Sequence, residues 1–274
     1  MGKVNQAILA FNRGLISKLG LARIDVPIRF WVDDALVTRP SVTTAITNGN
    51  FDTNLTGWTS GDQVGAVSSW ATGGYMQLVG TGTNEAIRSQ TVTVGVNSGI
   101  LHAVRVLINR GPVTFKIGST SFADDLIGQI TLGTGTHSLT FVPNTAFFYI
   151  TFSSSLARIT LVDSIQIESA GVLTLPSPYT ESLLSSIRTD QSVDVIYLAC
   201  YGLQQRKLER RGSAATNYSS WSIVLYQPED GPVGITNTTQ TSLTASAISG
   251  NITLSASQSL FNSSQVGAIF KHVS

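Results

Sequence analysis

Four cations, Arg206, Lys207, Arg210 and Arg211, crowd into one short stretch of this chain. Guanidinium and ammonium groups at that density take phosphate or carboxylate partners. The run lies between two blocks of strand formers, Val193–Cys200 and Trp221–Tyr226, so Gln191–Leu225 reads as two β-strands joined by a basic connection. Such a unit belongs to a propeller or a barrel. The whole chain has a formal charge of only +1, whereas a protein that grips nucleic acid through many phosphates is far more basic. Three roles stay open for the cluster: contact with carboxylates of a neighbouring subunit, contact with DNA in a channel, or a solvated hairpin.

Other candidates for chemistry are sparse. Asp124-Asp125 and Asp33-Asp34 are adjacent carboxylates. Neighbours on a strand point to opposite faces, so both pairs read as solvated loops. His102, His137 and His272 stand far apart without carboxylates at motif spacing, and read as isolated strand or surface histidines. No G-x-S-x-G, H-E-x-x-H or Walker-type loop occurs, and the reading is of a protein that is not an enzyme. The one cysteine, Cys200, excludes a disulfide within the chain and a Cys-based zinc site, and reads as a buried core thiol. A sugar site would use exposed aromatics with polar neighbours on a sheet face, for which Trp58, Trp70 and Tyr75 are candidates.

The elements that must position these residues fall into three zones. Residues 1–45 are mixed. Ala7, Ile8, Phe11, Leu15, Leu19 and Ala22 allow a short amphipathic helix, which Gly14 and Gly20 weaken in favour of an extended arm. Residues 46–170 carry short alternating segments: Tyr75–Val79, Ile87–Val94, Leu101–Ile108, Val113–Ile117, His137–Phe141, Phe147–Phe152 and Ile159–Ile167. Gly- and Pro-rich turns separate them, which predicts an antiparallel sandwich with Val104, Val106 and Ile108 on one aliphatic face. Residues 171–274 begin with a turn at Pro176 to Tyr179, then a single helical stretch over Glu181–Ile187 with Thr180 as N-cap. After the strand pair, Thr241–Ala245 and Asn251–Ala256 read as strands, and Phe261–Phe270 as a turn entering another.

With 274 residues, 42% of them apolar, the chain can bury a sizeable core as one large or two ordinary domains. Only 12% of residues are charged, about half the usual share. Ser, Thr, Asn and Gly supply the polarity instead, as in β-rich extracellular or virion proteins. No apolar run approaches the ~18 residues of a membrane span. Asn12 and Arg13 interrupt the N-terminal apolar stretch too early for a signal peptide. Secreted-like composition without an export signal fits release by cell lysis, as virions are released.

Two segments carry a family resemblance. Phe11-Asn12-Arg13-Gly14, then Leu19 to Asp25, then Arg39-Pro40, resembles the start of the podovirus tail nozzle family, also called tail tubular protein B. Asp190 to Tyr197, Gln205-Arg206-Lys207-Leu208, Trp221-Ser222-Ile223 and Glu229-Asp230-Gly231-Pro232 resemble that family's later block, which belongs to a β-propeller-like nozzle body. Ser41 departs from the glycine that follows the family's Arg-Pro, Gln204-Gln205 departs from its prolines, and the family's members are commonly much longer. The middle zone is similar to jelly-roll carbohydrate-binding modules through Asn48-Gly49-Asn50-Phe51-Asp52, Gly57-Trp58 and Leu161 to Ile165.

Together the resemblances imply a mainly β protein: an antiparallel jelly-roll sandwich, residues 46–170, inserted into a β-rich nozzle body made from residues 1–45 and 171–274. They imply a virion location in a phage tail, a ring of six copies, contact with portal, adaptor and tail fibres, and transient contact with genomic DNA. No cofactor is implied beyond a structural calcium near Asp163 and Asn50–Asp52, since related jelly rolls hold one by their terminal strands. The Gly-Trp tryptophan of such modules packs inside, which assigns Trp58 to the core and leaves Trp70 and Tyr75 for glycan. The second reading is a receptor- or glycan-binding virion module that acts through the jelly roll.

Overall fold

A half-buried strand needs hydrogen-bonding partners along its edges and one face to bury. The computed structural model of the chain describes residues 10–11, 27–32, 34–211, 219–227, 241–248 and 252–261. Five short strands come first: β1 (Ala10–Phe11), β2 (Ile28–Arg29), β3 (Trp31–Val32), β4 (Ala35–Leu36) and β5 (Thr38–Arg39). Longer ones follow: β6 (Thr59–Ser60), β7 (Val67–Ala71), β8 (Tyr75–Val79), β9 (Ala86–Thr93), β10 (His102–Arg110), β11 (Val113–Gly118), β12 (Ile127–Leu132), β13 (Gly135–Phe141), β14 (Phe147–Ser154) and β15 (Thr160–Ile167). Then β16 (Gly171–Val172) and β17 (Thr174–Leu175) precede β18 (Arg188–Ser192), β19 (Val195–Cys200), β20 (Leu203–Arg210) and β21 (Trp221–Leu225). Gln227–Ser274 forms a separate unit holding the hairpin β22 (Leu243–Ala245) and β23 (Leu254–Ala256).

The protein is thus mainly β, with every described pairing antiparallel and no described sheet closed into a barrel. Among the described residues no helix is long and apolar enough to cross a membrane. A five-stranded sheet, ordered β12-β11-β14-β9-β6, packs on part of a nine-stranded sheet, ordered β18-β19-β20-β21-β13-β10-β15-β8-β7. Alternation explains the core between them. Val104, Val106 and Ile108 of β10 point inward, as expected, against Phe115 and Ile117 of β11 and Phe148, Ile150 and Phe152 of β14. Each such buried side chain contributes roughly 1.5–3 kcal/mol. Trp58 joins this core beside Phe51 and Phe152, also as expected. Gly49 lets its segment dock there, because a Cβ would lie 2.0 Å from the Ile165 carbonyl oxygen, whose amide bonds Gly49 O at 2.8 Å.

A second core is assembled from distant pieces of chain. Ile28, Phe30, Val32 and Val37 pack with Leu173, Leu175 and Tyr179, and with Leu198, Leu208, Trp221 and Ile223. Phe30 stacks on Trp221 with ring centroids 4.5 Å apart. The chain leaves this core at β5 and returns at β16, and these two strands pair with each other, Arg39 opposite Gly171. Residues 40–170 therefore begin and end at adjacent points.

All seven strands expected in the middle zone form. β7 and β12 were not expected, since Val67–Ala71 is Ser-rich and Ile127–Leu132 contains Gly128. Two expectations need correction. The basic stretch is not a connection: Leu203–Arg210 is strand β20, because β19 and β21 satisfy it from both sides and Leu208 is buried between Ile196 and Ile223. The helical stretch forms as a 3-10 helix, Glu181–Ser186, but Thr180 at its N-cap position makes no cap bond; its hydroxyl bonds Ser182 instead. Cys200 is half-buried at the rim of the second core. The N-terminal helix or arm apart from β1, the Glu229-to-Pro232 block and most of Phe261–Phe270 lie outside the described residues, as do Asp33 and His272.

Candidate functional site

The two cores meet along one polar seam. There β21 joins β13 through Gly135↔Val224, Thr136↔Ile223, His137↔Ser222 and Ser138↔Trp221. Gly135, at φ +144°, makes the approach possible, since a Cβ would stand 2.2 Å from Ile223 O. Thr136, His137, Ser138 and Ser222 put buried polar side chains along this seam, beside Trp221, Ile223 and Val224. Thr140 shares its hydroxyl with Ser219 and Ser220, at 2.9 and 2.8 Å.

At the centre of the seam lies a buried charge cluster. The Glu168 carboxylate, just beyond β15, accepts from Arg39 Nε at 2.6 Å, from Ser138 Oγ at 2.9 Å and from Arg105 Nε at 2.8 Å. Arg39 also donates to Ser138 Oγ and to Ser219 O, and Arg105 donates to Thr174 O. One carboxylate and two guanidiniums thus tie β5, β10, β13, β15, β17 and the lead-in to β21 to one point. Burial lowers the Arg39 pKa from its ordinary value, and the Glu168 charge opposes that shift. Desolvation of such a cluster offsets much of its Coulomb attraction, so its effect is to fix one arrangement, and losing a single member is costly.

The two buried histidines belong to the framework. His137 is fully buried. Its Nε2 faces the Gly133 carbonyl at 2.9 Å and must donate, so its Nδ1 accepts from Ser222 Oγ at 2.8 Å. That neutral tautomer is satisfied on both sides, and burial pushes the pKa down to about 4. His102 is held in the same way between Ile100 O and Thr44 Oγ1, and burial lowers its pKa too. Neither is the surface histidine that one reading of the sequence allowed. Asp124, Asp125 and Asp34 are exposed, as solvated loops require.

The basic cluster is largely compensated within the chain. Lys207 and Arg211 share Glu209, with Lys207 Nζ 2.9 Å from its carboxylate, and Arg210 pairs with Asp194. Burial pushes Glu209 up, but Arg211 and Lys207 outweigh it and leave its pKa below the ordinary range. Arg206 has no carboxylate partner among the described residues; it lies near Tyr179, and burial lowers its pKa. Alternation splits the quartet, with Arg206 and Arg210 on the face of Leu208 and Lys207 on the other. A groove of about 190 Å³ beside this ribbon is lined by Arg188, Asp190, Tyr197, Gln205 and Tyr226.

Trp70 and Tyr75 sit on one hairpin, but the register opposes Trp70 to Met76 and Ala71 to Tyr75. The two rings therefore lie on opposite faces and do not form one platform. Trp70 is 37% exposed and donates its indole N–H to Phe51 O at 2.7 Å. Asp163 is the extra residue of a β-bulge, between Leu107↔Ser164 and Ile108↔Val162. Burial raises its pKa. Calcium takes six to eight oxygens, and no group of three or more His, Cys, Asp or Glu stands together among the described residues. An ion at Asp163 would rest on backbone carbonyls around one carboxylate.

Sequence reasoning missed Glu168, Ser138 and Ser219. The available signal was Arg105, a lone charge between Val104 and Val106 in an otherwise apolar strand, and Glu168, a lone charge directly after the strand that ends at Ile167. The fold defines a mainly β protein of antiparallel sheets. No protein-family model and no curated protein matches the chain.

Proposed function

We propose that this chain is a structural virion protein of a short-tailed phage, part of the nozzle ring below the portal and adaptor through which DNA leaves. The supporting observation is the second core. It unites residues 28–37 with 173–223, the two stretches flanking the segment that resembles a carbohydrate-binding jelly roll. The paired β5 and β16 then act as the neck of an inserted jelly roll, residues 46–170, on a propeller-like or barrel-like body. No bond is broken in this role. Arg206, Lys207, Arg210 and Arg211 contact a neighbouring copy or passing DNA. The internal carboxylates of Lys207, Arg210 and Arg211 keep the DNA contact weak, as a conduit requires. Six copies form a closed ring by head-to-tail contacts, and the jelly roll faces tail fibres or the host.

Antibody labelling of purified virions, with electron microscopy of the isolated protein, tests this. Label on the tail and ring-shaped particles are expected. A chain absent from particles would overturn it. The exposed Trp70 favours a second reading, glycan or receptor binding by the jelly roll. Glycan-array binding that disappears in Trp70→Ala would support that reading, and no binding by the wild type would remove it.

A further inference from the structure

The nine-stranded sheet is open, and its two edges differ. At β7 the edge is plugged: the Asp62 carboxylate accepts the Ser68 backbone N–H and hydroxyl, both at 2.8 Å. At β18 no other strand among the described residues covers the edge, and all five residues, Arg188 to Ser192, are exposed. An unplugged edge is a template for another strand.

The β18–β19 hairpin closes on Ser192↔Val195 around the two residues Val193 and Asp194. In such a hairpin the closing pair is hydrogen-bonded and the bonding alternates from there. Arg188, Asp190 and Ser192 thus spend their backbone groups on β19. Thr189 and Gln191 aim theirs at the open edge.

We propose that β18 pairs antiparallel with β18 of a second copy of this chain, about a two-fold axis at Thr189. That register sets Thr189 opposite Thr189 and Ile187 opposite Gln191 in hydrogen-bonded pairs. It sets Arg188 opposite Asp190 twice, in the non-hydrogen-bonded sites where side chains approach most closely. Centring on Asp190 would place like charges face to face and aim the wrong backbone groups across. Four local hydrogen bonds exchange on pairing. Asp190 gives up the Gln191 N–H, now at 2.9 Å, Arg188 gives up the Ser185 and Ile187 carbonyls, and the half-buried Ile187 gives up its 3.4 Å bond to Leu184 O. The first three lie in solvent and the fourth is long, so the exchange costs little. The contact is a property of the free chain and does not depend on the ring proposed above, whose head-to-tail contacts join different surfaces.

Sedimentation velocity over a concentration series tests the pairing, with circular dichroism confirming that each variant folds. The wild type is expected to reach twice the mass of Arg188→Asp or of Asp190→Arg. Each single reversal should weaken self-association by about tenfold or more. The double swap, Arg188→Asp with Asp190→Arg, should restore it. A wild type that never doubles, a doubling that survives the single reversals, or a double swap that stays dissociated would each overturn the proposal.

Discussion

The two apolar cores of this protein are built by opposite routes. The first is made from strands that follow one another closely and alternate strictly, so neighbours in sequence are neighbours in space. The second collects pieces separated by well over a hundred residues and closes only when residues 28–37 meet 173–223. Polar side chains, not a shared apolar layer, join the two. A sheet can therefore run unbroken through two cores while each keeps its own hydrophobic cluster, because backbone hydrogen bonds are indifferent to what the side chains beneath them do.

The largest test of that contrast is Glu168→Ala. It leaves Arg39, which is 4% exposed, and Arg105 without their carboxylate. A loss of about 3–5 kcal/mol in urea unfolding is expected; a change below about 1 kcal/mol would show that the seam does not hold the cores together. Phe152→Ala empties the centre of the first core and should cost a similar 3–5 kcal/mol, against about 2–5 kcal/mol for Leu208→Ala in the second. In a background with Trp31, Trp58 and Trp70 replaced by Phe, Trp221 fluorescence reports on the second core alone if the cores unfold separately. One shared transition in both variants would make them a single cooperative unit.

Acid probes the seam next. His137 has a folded pKa of about 4 against 6.5 for the ordinary side chain. Between those values the unfolded chain takes up a proton that the folded one refuses. Stability is therefore full above pH 6.5 and falls as the pH drops towards 4, by up to about 3 kcal/mol from this group. His102 adds to the loss in the same direction. His137→Gln should flatten the slope of unfolding midpoint against pH; an unchanged slope would place the acid sensitivity elsewhere. The smallest effect belongs to the ribbon surface. Lys207→Ala should change stability by less than about 1 kcal/mol, because its pair with Glu209 is partly exposed and Arg211 still serves that carboxylate.

The sandwich strands were legible because a period of two is visible in residues such as Val104, Val106 and Ile108. Strand β20 was not, because Gln204, Gln205, Arg206 and Lys207 contain no apolar alternation, and only Leu208 marks the buried face. Its strand character comes from β19 and β21 on either side. The opposed faces of Trp70 and Tyr75 required the hairpin register, which depends on the turn between them. The charge cluster required knowing that Arg39, Arg105, Ser138 and Glu168 converge, and no spacing rule joins positions so far apart.

By itself the sequence determined that this is a β protein with a strand-rich middle zone, and which face of its principal strands is apolar. Those properties are local, since they follow from side-chain alternation and turn residues over a few positions. Tertiary structure alone decided which distant segments share a core, where the polar seam runs, and that, among the described residues, one edge of the long sheet is plugged while the other has no covering strand. These depend on which strands meet, and the free energy of a meeting between remote residues is written in no single stretch of chain.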